Sequence, residues 1–338
     1  MNKCFRSISA GESTLASIAR LAAGATACAA LFLPGLSSAQ LPRTGIRLLV
    51  PFAAAGPIDF SARVLADGMR AGLGIPVIVD NRVGANGAIA AVAVKNAPPD
   101  GALLLVATSG MLTISPHIER DLPYDPAADF TALAPISYVD VTLAVGSQLP
   151  VKNLKEFVEL ARKANPPLAL GSFGVGNVSH GWIELFKDVA KVNLLHVPYK
   201  GAAPAFADVL AGTIAGTFPA FSLAMPQIKS GKVIALGVVG NTRSPVAPDI
   251  PTLAEQGYPG IDFLTWNAVM GPRNMPPEVA AAIRSAVAAA LRSDEVRGKL
   301  LSAGITPWLI PLDEFAGTVS GERERWRKLI LEKKIFGD

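Results

Sequence analysis

The stretch Leu168-Ala169-Leu170-Gly171-Ser172-Phe173-Gly174-Val175-Gly176-Asn177-Val178-Ser179-His180-Gly181-Trp182 decides the fold. Leu168 to Ser172 reads as a short buried strand. Phe173 to Val178 is a loop of mostly small residues, and Ser179 is placed to cap a helix that buries Ile183, Phe186 and Val189. A strand running through such a loop into a helix is the repeating unit of an α/β fold. The same unit stands nearer the N-terminus. Gly45 to Pro51 is a strand, Ala53-Ala54-Ala55-Gly56-Pro57 is a small-residue loop, and Asp59 is placed to cap a helix carrying Phe60, Val64, Ala66 and Met69.

Outward from these two units the pattern continues. Ile75 to Val79 and Ala102 to Ala107 read as strands, with an Ala-rich helix from Asn86 to Asn96 between them. Two short strands follow at Ile136–Tyr138 and Thr142–Val145. Asn153, with Glu156 three residues on, signals a capped helix. Leu194–Val197 and Val233–Val239 are further strands. The segment from Ser244 to Pro259 carries Pro245, Pro248, Pro251 and Pro259 and reads as a connection back toward the first series. Pro276-Pro277 opens a long Ala-rich helix, and a charged amphipathic helix with Phe315, Val319, Trp326 and Ile330 closes the chain. Two such series joined by two crossings predict two open-sheet α/β domains with a hinge and an interdomain cleft. Residues 40–140 plus 267–338 form domain 1, and 141–266 form domain 2. Ligands of open α/β sheets sit outside the carboxyl ends of the strands, so the loops after the two opening strands are the expected cleft walls.

Composition narrows the classes. The chain has 338 residues, half of them apolar, and a net charge of +4 with Lys and Arg scattered, which is no nucleic-acid footprint. Lys3, Arg6 and Arg20 precede the apolar run Leu21 to Leu33, and Ser37-Ser38-Ala39 offers small residues for a signal peptidase. Residues 1–39 are therefore expected to be a secretory signal. A run of about 13 residues is too short to span a bilayer without strain. Cleavage would remove Cys4 and Cys28, the two cysteines of the chain, leaving no thiol nucleophile or thiolate metal site. The histidines His117, His180 and His196 have no metal-ligand spacing, so neither a metal nor a cofactor is expected.

Small-residue loops let backbone N–H groups approach a ligand, and the helix N-termini behind them favour an anion. Two loops of this kind, one in each half, point to a carboxylate. Gly174-Val175-Gly176 fails as a dinucleotide turn, because the next strand runs into His196-Val197-Pro198-Tyr199-Lys200 with no acid to hold a ribose. Asn177-Val178-Ser179-His180-Gly181 is one residue from a hydrolase elbow, but Asn177 stands where that motif needs Gly. The competing reading from another class is thus a secreted serine hydrolase using Ser179 with His117 or His196. Tyr199 and Lys200 lie at a strand end within reach of the cleft, where Lys200 would offset ligand charge or be a solvated lysine. Trp182, Trp266 and Trp326 sit among apolar neighbours and are expected in the core.

Several blocks, taken in order, carry a resemblance. They are Ile46-Arg47-Leu48-Leu49-Val50-Pro51-Phe52 with Asp59 and Ala62-Arg63; Asp80-Asn81-Arg82-Val83-Gly84-Ala85; Ala97-Pro98-Pro99-Asp100-Gly101; Leu122-Pro123-Tyr124-Asp125-Pro126; His196-Val197-Pro198-Tyr199-Lys200-Gly201; Arg243-Ser244-Pro245; and Asp249-Ile250-Pro251-Thr252. Together they resemble the Bug family, the TctC-like receptors of tripartite tricarboxylate transporters, over essentially the whole mature chain. The resemblance implies a type II periplasmic binding fold that closes on a di- or tricarboxylate, an acidic amino acid or an aromatic acid, with no catalytic activity. It implies a monomer in the periplasm that serves membrane transporter subunits or, alternatively, a sensor kinase. By position, one wall is Phe52 with Ala54 to Asp59 (Ala55, Gly56, Pro57, Ile58 and Asp59 foremost), Thr108 and Ser109. The other is Ser172 to His180 (Ser172, Gly174, Gly176, Asn177 and His180 foremost) with Tyr199 and Lys200. Two departures bear on specificity. Pro57 and Ile58 replace a donor and a hydroxyl of the usual Gly-Gly-x-Thr-Asp loop. Pro219 stands where members often carry an aspartate suited to a ligand amine. With Ile58 and Phe218, this turns the expectation away from amino acids and toward a less polar acid.

Overall fold

The computed structural model describes residues 41–42 and 44–335, so the secretory segment expected over 1–39 lies outside the described residues. Two sheets organise the chain. In the first, β1 (Ile46–Val50) lies parallel between β2 (Val77–Asn81) and β3 (Leu103–Thr108). It is completed by β4 (Phe130–Val139), β10 (Thr265–Pro272) and β11 (Ile305–Pro307), in the order β11-β4-β10-β3-β1-β2. In the second sheet, β6 (Leu168–Ser172) lies parallel between β7 (Leu194–Pro198) and β8 (Gly216–Thr217). There β5 (Thr142–Gly146) and β9 (Val233–Val238) give the order β7-β6-β8-β5-β9.

The two orders match. Each sheet runs second, first, third, then an antiparallel strand delivered by a crossing from the other sheet (β10 or β5), then the fourth. The chain crosses between sheets at 139–142 and again on the path from β9 to β10. The fold is therefore the expected pair of open α/β sheets. In each, the first strand is flanked by the second on one side and the third on the other. Connections leave such a strand in opposite directions, which opens a crevice at its carboxyl end.

Burial follows the strand period of two. Leu48 faces α1 (Pro57–Leu73) and α8 (Pro277–Arg292) through Leu65, Met69, Ile283 and Val287. Leu49 faces the opposite layer, which contains Ala91 and Val94 of α2 (Ala88–Lys95). Each such fully buried side chain contributes on the order of 2 kcal/mol. In the second sheet, Leu143, Val145 and Leu170 pack against Phe157 of α4 (Leu154–Lys163) and Ile183 and Phe186 of α5 (Val178–Ala190). Val189 is only half-buried, because Ala190 takes the inward position. Phe206 and Val209 of α6 (Ala202–Ala211) and Ala224 of α7 (Phe221–Lys229) cover the other face.

The Ala-rich helix starts at Ala88, two residues later than the sequence suggests. Gly84, Ala85, Asn86 and Gly87 all have positive φ and form a turn ahead of it. A π-type turn (Gly110–Ile114) and a short helix α3 (Ser115–Ile118) follow β3, and α9 (Asp294–Ser302) precedes β11. Trp182, Trp266 and Trp326 are each 1% exposed and belong to the core. The closing helix α10 (Leu312–Lys333) serves both sheets: Phe315 packs edge-on to Trp266, while Trp326 stacks at 4.5 Å on Phe263 beside Gly181 of α5.

Candidate functional site

At the carboxyl ends of β1, β3 and β6 lies a cavity of about 430 Å³, within the size range of small-molecule sites. On the first sheet it is lined by Phe52, Ile58, Asn86, Thr108 and Ser109, and by the turn after them through Gly110, Met111, Ile114, Ser115 and Ile118. The second sheet contributes the unbroken loop Phe173 to Val178, and Thr265 opens β10 at the floor. No Lys, Arg, Asp or Glu is among the lining residues. The walls are close. A Cβ on Gly176 would stand 2.9 Å from Ile118 Cδ1 across the cavity, and Gly176 also has φ +72.

The second wall is shaped by side chains of its own flanking elements. Asn177, not Ser179, is the N-cap of α5, and its Oδ1 accepts from Ser179 N–H at 3.1 Å. Ser179 works one layer back. Its hydroxyl accepts from Phe173 N–H at 2.8 Å and donates to Asn177 Oδ1 at 3.0 Å. The two loop glycines are tied by longer bonds: Gly174 N–H to Ser172 Oγ at 3.4 Å and Gly176 N–H to His180 Nδ1 at 3.4 Å. The Val175 and Val178 N–H groups have no partner among the described residues. They are the donors this wall offers to a guest, and Val178 stands in the first turn of α5, where the helix dipole favours negative charge.

The first wall is anchored by charge. Asp59 does not cap α1. Gly56 holds the N-cap position, Pro57 takes the first helical position, and the Asp59 carboxylate instead accepts from Ala55 N–H at 2.9 Å. It also accepts from Arg63 Nε and Nη2, both at 2.9 Å, and from Asn81 Nδ2 at 2.8 Å. Burial works against the Asp59 charge, but these bonds outweigh it and hold the carboxyl below its ordinary range. Ala55 adopts φ 67, a left-handed conformation that favours glycine. Farther along the wall, Glu119 ties Asn86 and Ser115 by bonds of 3.2 and 2.9 Å, while the Ser109 and Thr265 hydroxyls make none among the described residues.

The sequence-derived set divides accordingly. Phe52, Ile58, Thr108, Ser109, Gly174, Gly176 and Asn177 meet around the cavity. Ala55, Gly56, Pro57 and Asp59 form the turn behind Ile58, and Ser172 and His180 stand behind the glycine loop. Tyr199 points elsewhere: its hydroxyl donates to Asp208 at 2.6 Å, and burial together with that carboxylate pushes its pKa up to about 12. Lys200 is exposed and lines no part of the cavity. Pro219 is buried near the crossing, where its carbonyl accepts from Thr142 N–H at 3.1 Å, and Phe218 packs in the core against Trp182. Asn86, the segment Gly110–Ile118 and Thr265 went unread in the sequence. Asn86 and Gly110 follow the carboxyl ends of β2 and β3, so the rule that picked the loop after β1 would have found them.

Ser179, the hydrolase alternative, is fully buried and engaged in loop bonds. His117 Nε2 donates to the Arg323 carbonyl at 3.0 Å, and His196 lies against Ser172, not Ser179. Among the described residues, no helix is long and apolar enough to cross a membrane, and no group of three or more His, Cys, Asp or Glu could hold a metal ion.

Comparison with known proteins follows the same geometry. The chain is 30% identical over 298 residues to Protein BugT of Bordetella pertussis, covering 88% of this chain and 91% of that one. Among solved structures, R. palustris Rpa4515 with adipate aligns at 32% identity and TM-score 0.74, covering 88% of this chain and 99% of its own. MatC from Rhodopseudomonas palustris with bound malate aligns at 32% identity and TM-score 0.67, covering 85% and 98%. Residues 61–335 match the family model described as the tripartite tricarboxylate transporter family receptor. With matched sheets meeting at a neutral, donor-lined cavity and a family match over most of its length, the chain belongs to this family of TctC-like Bug receptors, which are periplasmic binding proteins.

Proposed function

We propose that this protein is an exported periplasmic receptor that captures a small organic carboxylate with an apolar body and delivers it to a tripartite-type membrane transporter. The observation that carries this reading is the cavity itself. Free N–H groups of Val175 and Val178 stand on one wall and the Ser109 hydroxyl on the other, with apolar surface between them and no charged lining. Neutral donors and a helix N-terminus suffice for an anion without a buried salt bridge. Phe52 and Val175 are 36% and 43% exposed, leaving apolar surface for the ligand's body to cover. A dicarboxylate with a methylene spacer or an aromatic acid suits this arrangement. An amino acid does not, because no acid lines the cavity to receive its ammonium group.

The ligand would touch both walls and so bind the closed arrangement better than the open one, which drives closure. In this reading, residues 40–140 with 267–338 move as one body against 141–266, bending at the two crossings. The bend is accommodated along α10, whose Phe315 and Trp326 pack on different sheets. Calorimetric titration with adipate, benzoate, malate, citrate, aspartate and glutamate tests the proposal. Adipate or benzoate should bind most tightly. Preferential binding of aspartate or glutamate, or of no carboxylate at all, would contradict it.

A further inference from the structure

Directly behind the glycine loop, the rings of His180 and His196 stack with centroids 3.8 Å apart and planes 16° from parallel. Each ring ends a chain that begins at a loop amide. Gly176 N–H donates to His180 Nδ1 at 3.4 Å. Gly174 N–H reaches Ser172 Oγ at 3.4 Å, and that hydroxyl lies 2.6 Å from His196 Nε2. A backbone N–H can only donate, so His180 Nδ1 carries a lone pair. The single Ser172 hydroxyl proton has two acceptors in reach, the Gly174 carbonyl at 3.3 Å and His196 Nε2 at 2.6 Å. The much shorter contact assigns it to His196, which gives that nitrogen a lone pair as well.

We infer that His180 and His196 are positioning residues that hold the carboxylate-binding loop in shape only while both rings are neutral, so that acid releases the loop. This inference rests on the carboxylate-binding reading of the cavity. A proton on His180 Nδ1 would place two donors face to face at Gly176. A proton on His196 Nε2 would turn the Ser172 hydroxyl away from its present role. Stacked rings at 3.8 Å also resist carrying two charges. The groups facing the pair are few. On α5, Glu184 Oε1 is 4.0 Å from His180 Nε2, and it is already paired with Lys187 at 2.8 Å. Beyond β7, Asp208 is taken by Tyr199. From the opposite wall, Ile118 and the other lining residues bring no charge. Burial lowers both rings from the ordinary 6.5, and with His180 beside it His196 falls to about 4. The neutral rings therefore persist at pH 7. Stability from them is present above about 6.5 and is lost as the pH falls toward 4.

The test uses the full mature protein. In ligand-free wild type, the Gly174 and Gly176 amide NMR signals should shift with the histidine ring protons in one acid transition. In His180→Asn/His196→Gln, which keeps acceptors but removes the titration, the amides should stay put from pH 7 to 4. Adipate affinity measured over the same range should fall at least about threefold more in wild type than in the variant, the ligand's own titration cancelling in the comparison. Amides that ignore the histidine transition, or parallel affinity profiles, would overturn the inference. If adipate fails to bind at pH 7, the carboxylate reading fails at that site, and the ligand-free titration still decides the role of the histidines. Should the double variant not fold, the wild-type titration decides it alone.

Discussion

The loop after β1 and the loop after β6 hold equivalent places in matched sheets, yet they are built from opposite materials. The first is clamped by a buried carboxylate: Asp59 binds Ala55 N–H, Arg63 and Asn81 at once. The second is clamped by neutral groups, namely Ser172, Ser179, His180 and the Asn177 cap. In both, the clamping side chains come mainly from the first turn of the helix that follows. A binding loop that must stay open to a guest is thus shaped from behind, which leaves its cavity face uncharged. The two clamps also respond to acid in different windows. Asp59 loses its contribution only as the pH falls below the ordinary 3.8, whereas the histidine pair begins to lose its contribution as the pH falls below 6.5, with His196 protonating at about 4.

The largest effect expected from disturbing this contrast is on the charged clamp. Asp59→Ala strands Ala55 N–H and Arg63 and should cost about 2 kcal/mol in urea unfolding, a figure kept modest because the Arg63 side chain is 50% exposed. A loss below a few tenths of a kcal/mol would mean the first loop needs no clamp. Gly176→Ala comes next. It forces alanine to φ +72 and brings its Cβ against Ile118, so ligand affinity should drop about tenfold, near 1.4 kcal/mol, in a calorimetric titration. Ser179→Ala removes the acceptor for Phe173 N–H and should lower stability by about 1 kcal/mol in the same unfolding assay. Ester turnover that disappears with this substitution would revive the hydrolase alternative. Smallest is Ala55→Gly, which relieves a left-handed alanine and should raise stability by roughly 0.5 kcal/mol, the strain relief exceeding the entropic cost of glycine. A destabilisation would show that the first loop stores no strain there.

The contrast also explains what was legible in the sequence. Both strand–loop–helix units are readable because apolar runs end in clusters of small residues, and those clusters mark the carboxyl ends of β1 and β6. Asp59 and Ser179 are each noticeable as polar residues at a helix start. Which backbone group each one binds is set by loop curvature that spacing does not encode, so Asp59 reaches back to Ala55 and Ser179 yields the cap to Asn177. The pairing of β10 with β3 and β4 joins residues more than a hundred positions apart, which places Thr265 at the cavity without any local signal. Met111, Ile114 and Ile118 went unread because apolar side chains lining a cavity and those filling a core look alike in sequence. Tyr199 and Lys200 follow β7, which pairs directly with β6, but the Tyr199 hydroxyl turns to Asp208 and Lys200 lines no part of the cavity, and strand position alone does not encode those side-chain directions.

The central claim is that main-chain N–H groups of the second loop hold the ligand's carboxylate, and Val178→Pro tests it most directly. Val178 is the first residue of α5 and follows Asn177 at ψ 155, a setting that accepts proline while deleting the donor. Calorimetric titration with the best-binding acid should show affinity reduced tenfold or more at an unchanged melting temperature. Unchanged affinity in the folded variant would contradict the account.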